Sequence, residues 1–374
     1  MTSFASTALR ACVPLLFLSA CSGSAAPASP QASSPAPAAS ASAASAAAAA
    51  GQKPAASSAK PAASAGSPAA SAEPAKLVVA YGNITGTAIP LWIAADTGIF
   101  KKHGVDVDLE LVKQGQSSVA AMVAGEAQIA MQGGPEVVNV ASQNVDVVVV
   151  EVGTPVYPYK LYVPADIKTP ADLKGKTVDY GALGGATGLA TAAAFRRMGL
   201  SQSDVKVATL GTQINGTAAL LNGQTQARMT NLPDAGVLEK AGFHALIDLA
   251  AEKAPSANLA AAVLRPWLNS HRSAVQQFVD ATIEATVAAH KNRQQTVDIM
   301  KKYFKLDDDQ VLQASYEFWV NEVLQTLPYP AVDQFKDAVE LAPENRERLQ
   351  SVDLNKIIDR SFVQSAADRG LDKQ

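Results

Sequence analysis

Only two cysteines occur in the 374 residues, Cys12 and Cys21, and none follows. Beyond residue 21 the chain therefore forms no disulfide and offers no thiol nucleophile or thiolate metal ligand. The four histidines, His103, His244, His271 and His290, are scattered without the spacing of a metal site. No Gly-x-Ser-x-Gly elbow occurs. After residue 21 every apolar run is too short to span a bilayer. Positive charge is also thin: 31 Lys and Arg stand against 34 Asp and Glu, for a net charge of −3, and no basic run or patch is visible. That balance argues against nucleic acid as a partner.

What the first 21 residues do contain is an export signal. Arg10 precedes an apolar stretch of about ten residues, 11–20, which is too short for a permanent span. It ends in Leu18-Ser19-Ala20-Cys21, a pattern similar to a bacterial lipobox, in which the cysteine is acylated and becomes the new N-terminus. An ordinary secretory signal with a stray cysteine is the alternative. Several acyl chains on Cys21 give stable membrane anchoring where one would not. Residues 22–76 are almost wholly Ala, Ser and Pro, with no aromatic or large aliphatic side chain. They cannot bury enough surface to offset chain entropy and read as a disordered tether with a reach of roughly 40 Å. About 300 residues remain, enough for two lobes, and their net charge is about −6 once Arg10, Lys53, Lys60, Lys76 and Glu73 are set aside.

From Leu77 onward strand-like and helix-like patterns alternate at short spacing, which indicates α/β layers with largely parallel sheets. Strands are expected at 77–81, 105–112, 127–131 and 145–152, with helices at 90–100, 117–124 and 135–142 between them. A second series begins near Asp166, with a capped turn at Thr169-Pro-Ala-Asp172, a strand ending at Tyr180, and a glycine-rich turn opening a helix. Strands at 205–210, 227–230 and 245–249 follow, with helices ending at Asn222 and Ala241. Ser273-Ala-Val-Gln276 reads as a capping box. Helices are then expected near 294–304, 308–323, 331–340 and 354–367, as a flank on the first sheet.

Several stretches resemble solute-binding proteins of the nitrate/sulfonate/taurine type. They are "AADTGIFKKHGVDVDLELV" at 94–112, "MVAGEAQIAMQGG" at 122–134, "TPADLKGKTV" at 169–178, "ALLNGQTQARM" at 219–229 and "VDLNKIIDRSFVQSAADRG" at 352–370. The likeness spans essentially all of residues 77–370. It implies a two-lobed type II periplasmic-binding-protein fold with a helical C-terminal flank: lobe 1 over 77–163, lobe 2 over 164–257, and a return to lobe 1 over 258–374. Two crossings between lobes are then expected near 159–164 and 257–264. The resemblance also implies delivery of a small molecule to an ABC importer. Some relatives bind thiamine-pyrimidine precursors. Fungal thiamine-pyrimidine synthases share the fold but carry a cysteine-rich motif that is absent here.

In open α/β sheets ligands sit beyond the carboxyl ends of strands. The turn Gly181-Ala-Leu-Gly184-Gly185-Ala186-Thr187-Gly188 lies at such an end. It matches neither nucleotide-binding glycine motif, and no lysine follows to reach a phosphate. It does offer amides and the Thr187 hydroxyl at a helix start, which suits a carboxylate, a sulfonate or a polar heteroatom. Gly184, Gly185, Ala186 and Thr187 are therefore candidate ligand contacts, with a purely structural turn as the alternative. From the other lobe come Asn83, Thr85, Gln116, Ser117, Gln132 and Gly133, each of which can equally serve as a turn or cap residue. Tyr81 and Tyr180 end corresponding strands and offer rings for a flat ligand or for packing. Trp92 can stack or sit in the core. Asn231 and Asp234 add an amide and a carboxylate after a lobe 2 strand.

The expectation is a monomeric, non-enzymatic, lipid-anchored extracytoplasmic binding protein without cofactor or metal, partnered by a small-molecule solute and permease subunits. With no free Lys or Arg in the cleft loops, the solute is expected to be organic and neutral or singly anionic, of the sulfonate, aromatic acid or pyrimidine class. An exported sensor or interaction lipoprotein and a thiamine-pyrimidine synthase-like enzyme are the alternatives.

Overall fold

The computed structural model describes residues 75–112 and 117–374. The export signal, Cys21, almost all of the tether, and Gln116 lie outside the described residues. Ten strands are present: β1 Ala75–Tyr81, β2 Val105–Leu111, β3 Ile129–Gln132, β4 Val147–Val156, β5 Lys160–Val163, β6 Thr177–Asp179, β7 Lys206–Ala208, β8 Ala227–Thr230, β9 His244–Asp248 and β10 Pro255–Leu264. They form two five-stranded sheets, ordered β2-β1-β3-β10-β4 and β7-β6-β8-β5-β9. β1 begins two residues inside the stretch read as tether, because Ala75 and Lys76 pair with Val105 and Asp106.

The two sheets share one design. β1 is parallel to β2 and β3, and β6 is parallel to β7 and β8. The strand delivered from the other lobe is the antiparallel one in each case: β10 against β3 and β4, and β5 against β8 and β9. β4 leaves the first sheet and becomes β5 of the second through residues 157–159. β9 leaves the second and becomes β10 of the first through residues 249–254. Tyr157 N donates to Ala254 O at 3.0 Å and Leu249 N to Tyr159 O at 3.0 Å, so the two crossings are bonded side by side. The expected crossings at 159–164 and 257–264 fall instead within β5 and β10, because those strand-like runs continue the sheets they enter. The lobe boundaries shift earlier by a few residues accordingly.

Periodicity located most helices, and tertiary contacts changed some of their ends. The helix expected over 90–100 is two, Ile89–Asp96 and Ile99–Lys102, separated at Gly98 with φ +77°. Over Arg265–Lys291 two helical segments, the first with Pro266 in its first turn, meet at a kink at His271 (φ −129°, ψ 26°), so the second begins within two residues of the capping box expected at Ser273. The helix expected over 354–367 runs only over Ser361–Asp368. The preceding residues form turns and then a single parallel bridge of Ile358 to the open edge of β4: Val149 N donates to Ile357 O at 2.7 Å and Val149 O accepts from Asp359 N at 2.9 Å. The long helix packs Leu268, Val275, Phe278, Val279 and Ile283 into the lobe 1 core with Leu77, Val79 and Val148.

The core of lobe 2 contains a charge. Arg228 on β8 and Asp179 on β6 are each 1% exposed and form an ion pair. Gly216, inside the helix Gln213–Leu221, lies directly on the guanidinium, so that a Cβ there would overlap Arg228 Nη1. A glycine in mid-helix is otherwise unfavourable by about 1 kcal/mol relative to alanine. We expect Gly216→Ala to lower stability by about 1–3 kcal/mol through overpacking. Arg228→Leu, which strands Asp179 as a lone buried charge, should cost about 3–5 kcal/mol. Urea unfolding checks both, and an unchanged midpoint in either would remove this pair from the core's energetics.

Candidate functional site

The carboxyl ends of the parallel strands of both sheets carry the loops that were expected to line the cleft. The lobe 2 wall is built from Asp179. Its Oδ1 accepts from Gly181 N at 2.8 Å and Leu210 N at 3.1 Å, while Oδ2 holds Arg228. Gly181 and Gly184 have φ of +68° and +78°, which only glycine adopts at little cost. The turn then delivers Gly185 as the N-cap of the helix Ala186–Met198. Gly185 brings no side-chain oxygen, so no side chain caps the amides of the first turn. Thr187 is half-buried, and its hydroxyl points back toward Gly181, where a Cβ would meet it at 2.5 Å.

Other lobe 2 candidates are more committed. Asn231 is 4% exposed, and its Oδ1 accepts from Gln213 Nε2 at 3.0 Å. Gln213 Oε1 in turn accepts from Thr230 Oγ1 at 2.9 Å and from Arg228 Nη2 at 3.4 Å. Asp234 is half-buried in the first turn of Asp234–Lys240; burial raises its pKa, and the charge of Arg228 offsets part of that rise. Tyr180 is 2% exposed and edge-on to Phe195, with ring centroids 5.8 Å apart, so its ring serves packing. Its hydroxyl is buried without a partner.

On the lobe 1 side, Gln132 and Ser117 are tied into their own loop. Gln132 Oε1 accepts from Ser118 Oγ at 2.6 Å and Ser118 N at 3.3 Å, and Ser117 Oγ caps its helix by accepting from Ala120 N at 3.2 Å. Gly133 is buried at the head of the helix Gly134–Ala141. Thr85 Oγ1 is 2.8 Å from Thr87 Oγ1, and Asn83 is exposed, with no side-chain partner among the described residues. Trp92 belongs to the core, stacked on Tyr303 at 4.5 Å.

The residue that joins the two walls was not among the expected ones. Glu136, in the first turn of Gly134–Ala141, reaches lobe 2: its Oε1 is 3.7 Å from where a Cβ on Gly185 would stand. Its Oε2 is buried without a hydrogen-bond partner. Burial pushes this carboxyl up to about 7, against its own backbone amide and Gln132, which lower it. The Asn258 backbone carbonyl, on β10, lies 3.6 Å from where a Cβ on Gly133 would stand, and buried Tyr159, at the end of the first crossing, lies near enough to feel the Glu136 charge and to bond the Asn258 side chain. The signal was available in "QGGPE": an acid just after the loop of a cleft strand. Asn258 could be noticed only as a polar residue inside an apolar strand.

A separate cavity lies inside lobe 1, lined by Thr87, Met131, Glu151, Leu259, Thr282 and Thr286 among others. Glu151 is 2% exposed; Thr282 Oγ1 donates to its Oε2 at 2.7 Å, and burial pushes its pKa up to about 7. Among the described residues no cluster of His, Cys, Asp or Glu is suited to a metal ion, and no helix is long and apolar enough to cross a membrane.

The chain belongs to the NMT1/THI5-like family, whose profile matches residues 86–296. No curated protein sequence matches it. Among solved structures it is similar to a protein of Bordetella bronchiseptica RB50, with 21% identity over 80% of this chain and 98% of that one, at a TM-score of 0.68. The periplasmic aliphatic sulphonate binding protein SsuA of Escherichia coli has 21% identity over 77% of this chain and 92% of that one, at a TM-score of 0.65. The desulfurization enzyme DSZB has 16% identity over 78% of this chain and 99% of that one, at a TM-score of 0.60. At these identities the likeness is one of fold, and that fold is the two-lobed α/β periplasmic-binding-protein fold.

Two expectations follow. Val at Gly185 has a compatible backbone, with φ −83°, but its side chain would cover the uncapped amides opposite Glu136. Gly185→Val should therefore cut co-purifying solute, measured by native mass spectrometry, by about tenfold or more with little change in melting temperature. Thr187→Val should act in the same direction, and full solute content in both variants would remove this turn from the site. The second concerns pH. Between the ordinary carboxylate range and about 7 the native chain holds a proton on Glu151 that the unfolded chain has lost, so this residue's contribution to stability falls as pH rises through that window. The stability of Glu151→Gln relative to the parent should thus improve between pH 5 and pH 8, and a flat difference would show that Glu151 titrates normally.

Proposed function

We propose that this chain is a lipid-anchored, extracytoplasmic solute-binding protein that delivers a small organic solute, of the sulfonate, aromatic acid or pyrimidine class, to an ABC importer. The observation that carries this reading is the pairing of an uncapped helix start at Gly185 with Glu136 of the opposite lobe, across a hinge of two hydrogen-bonded crossings. Two lobes joined by a narrow double connection can open to admit a solute and close around it. The tether and Cys21 lipidation would keep the lobes near a permease at the outer face of a membrane.

The same reading makes the protein a monomer that needs neither cofactor nor metal and acts on no nucleic acid. DSZB shows that this fold also hosts an enzyme. Against an enzymatic role here, residues 22–374 contain no thiol and the cleft residues include no histidine.

One preparation tests the anchor and the motion together. The full chain should remain with membranes and the Cys21→Ser variant should be released. Small-angle scattering of the released protein, stripped of solute and then resupplied with the compound that co-purifies with it, should show a smaller radius of gyration. Equal partition of the two forms would refute the anchor, and an unchanged radius would refute closure on a solute.

A further inference from the structure

Away from the cleft, one charged side chain is buried against a cavity. Glu151, on β4, is 2% exposed and lines the lobe 1 cavity together with Thr87, Thr282 and Thr286. No residue of lobe 2 lines it. The β4–β10 ladder shifts register on both sides of Glu151, leaving Val150 and Gly153 without partners on β10. Such bulges re-aim side chains, and these two bracket a carboxyl set in an otherwise apolar layer. Thr282 and Thr286 come from successive turns of the second helical segment within Arg265–Lys291.

Hydrogens are scarce around this carboxyl. Thr282 Oγ1 has one hydrogen for Glu151 Oε2 at 2.7 Å and the Val279 carbonyl at 2.9 Å, and Thr286 Oγ1 donates to the Thr282 carbonyl at 2.8 Å. Both hydroxyls therefore have only lone pairs left. Thr87 shares a hydrogen with Thr85. Among the described residues no cation offsets the burial of Glu151; only the Thr282 hydroxyl does. The cavity measures about 20 Å³ for the centre of a water-sized sphere, against the roughly 10–15 Å³ that one bound water requires. It meets solvent at Gln325, a lining residue that is exposed.

We propose that this cavity binds a single monovalent cation the size of a water molecule, ammonium or potassium, with the Glu151 carboxylate as counter-charge and the Thr282 and Thr286 hydroxyls as further ligands. The site lies outside the solute cleft and does not depend on how that cleft is used. A water brings two hydrogens and no charge, whereas a buried carboxylate needs a charge beside it. Ammonium supplies that charge with four N–H donors, and potassium by direct contact with the oxygens. Sodium is smaller and holds its own waters tightly, for which the cavity has no room. Without either ion burial favours the neutral acid, and an arriving cation reverses that preference.

The test is the melting temperature in ammonium, potassium, sodium and tetramethylammonium chloride at equal ionic strength, at a pH above the value of about 7 to which burial raises Glu151. Ammonium or potassium should raise it by about 2–4 °C over tetramethylammonium, saturably, with sodium weaker. Glu151→Gln, which keeps the shape and removes the charge, should abolish the difference, and Thr286→Val should reduce it. A response to ammonium alone supports the site and assigns it to N–H donation; a response to both ions supports it through size and charge. Equal melting in all four salts overturns the proposal, as does a shift that survives in Glu151→Gln or is largest in sodium or tetramethylammonium. Should Glu151→Gln fail to fold, the salt series on the unaltered protein and on Thr286→Val decides.

Discussion

Arg228 and Asp179 sit on adjacent parallel strands in the middle of lobe 2, and the cleft wall of that lobe is assembled from what they hold. One oxygen of Asp179 takes the guanidinium; the other fixes Gly181 and Leu210 through their amides. Arg228 reaches on to the carbonyl of Thr212 at 3.1 Å and to Gln213, which in turn orients Asn231. The loops after β6, β7 and β8 are thereby set by one buried pair. A hydrophobic pair of equal volume would fill the space but could not supply these directional bonds.

The fixed lobe 2 wall meets lobe 1 through contacts of different kinds. Arg196 reaches Asp337 at 2.8 Å and Glu340 at 3.6 Å, on an exposed rim where ion pairs contribute little. Trp319 does more: its ring lies against Gly86, and its Nε1 donates to Leu232 O of lobe 2 at 2.9 Å. The glycine at position 86 leaves room for that ring, since a Cβ there would overlap it. The crossings themselves are short and mutually bonded, so relative motion of the lobes is confined to a narrow strip.

Within the cleft, several of the polar side chains expected to meet solute are spent on their own loops. Ser117 caps a helix, Gln132 orders Ser118, and Asn231 serves Gln213. The Gly185 helix start, the Glu136 Oε2, the Tyr180 hydroxyl and the Asn83 side chain have no hydrogen-bond partner among the described residues. Gly185 and Glu136 stand opposite each other, one from each lobe.

Much of this was legible in one dimension. Alternation and glycine placement determined the α/β class, the two series of strands and the turn at 181–188, because side-chain period and φ are local properties. The strand end at Tyr81 followed from the same pattern, the strand expected to end at Tyr180 stops one residue earlier at Asp179, and the capping turn at Thr169 is present, where Asp172 accepts from the backbone of Lys168 and Thr169. Other features depended on contacts distant in sequence. The bridge of Ile358 to β4 before Ser361 exists because that strand has an open edge, and the placement of the crossings was fixed by which sheet β5 and β10 join. That Arg228 is neutralised by Asp179, 49 residues away, and that Glu136 faces Gly185, likewise follow only from the packing of elements. A charge declares its sign in the sequence, but its partner and its dielectric surroundings are properties of the folded chain.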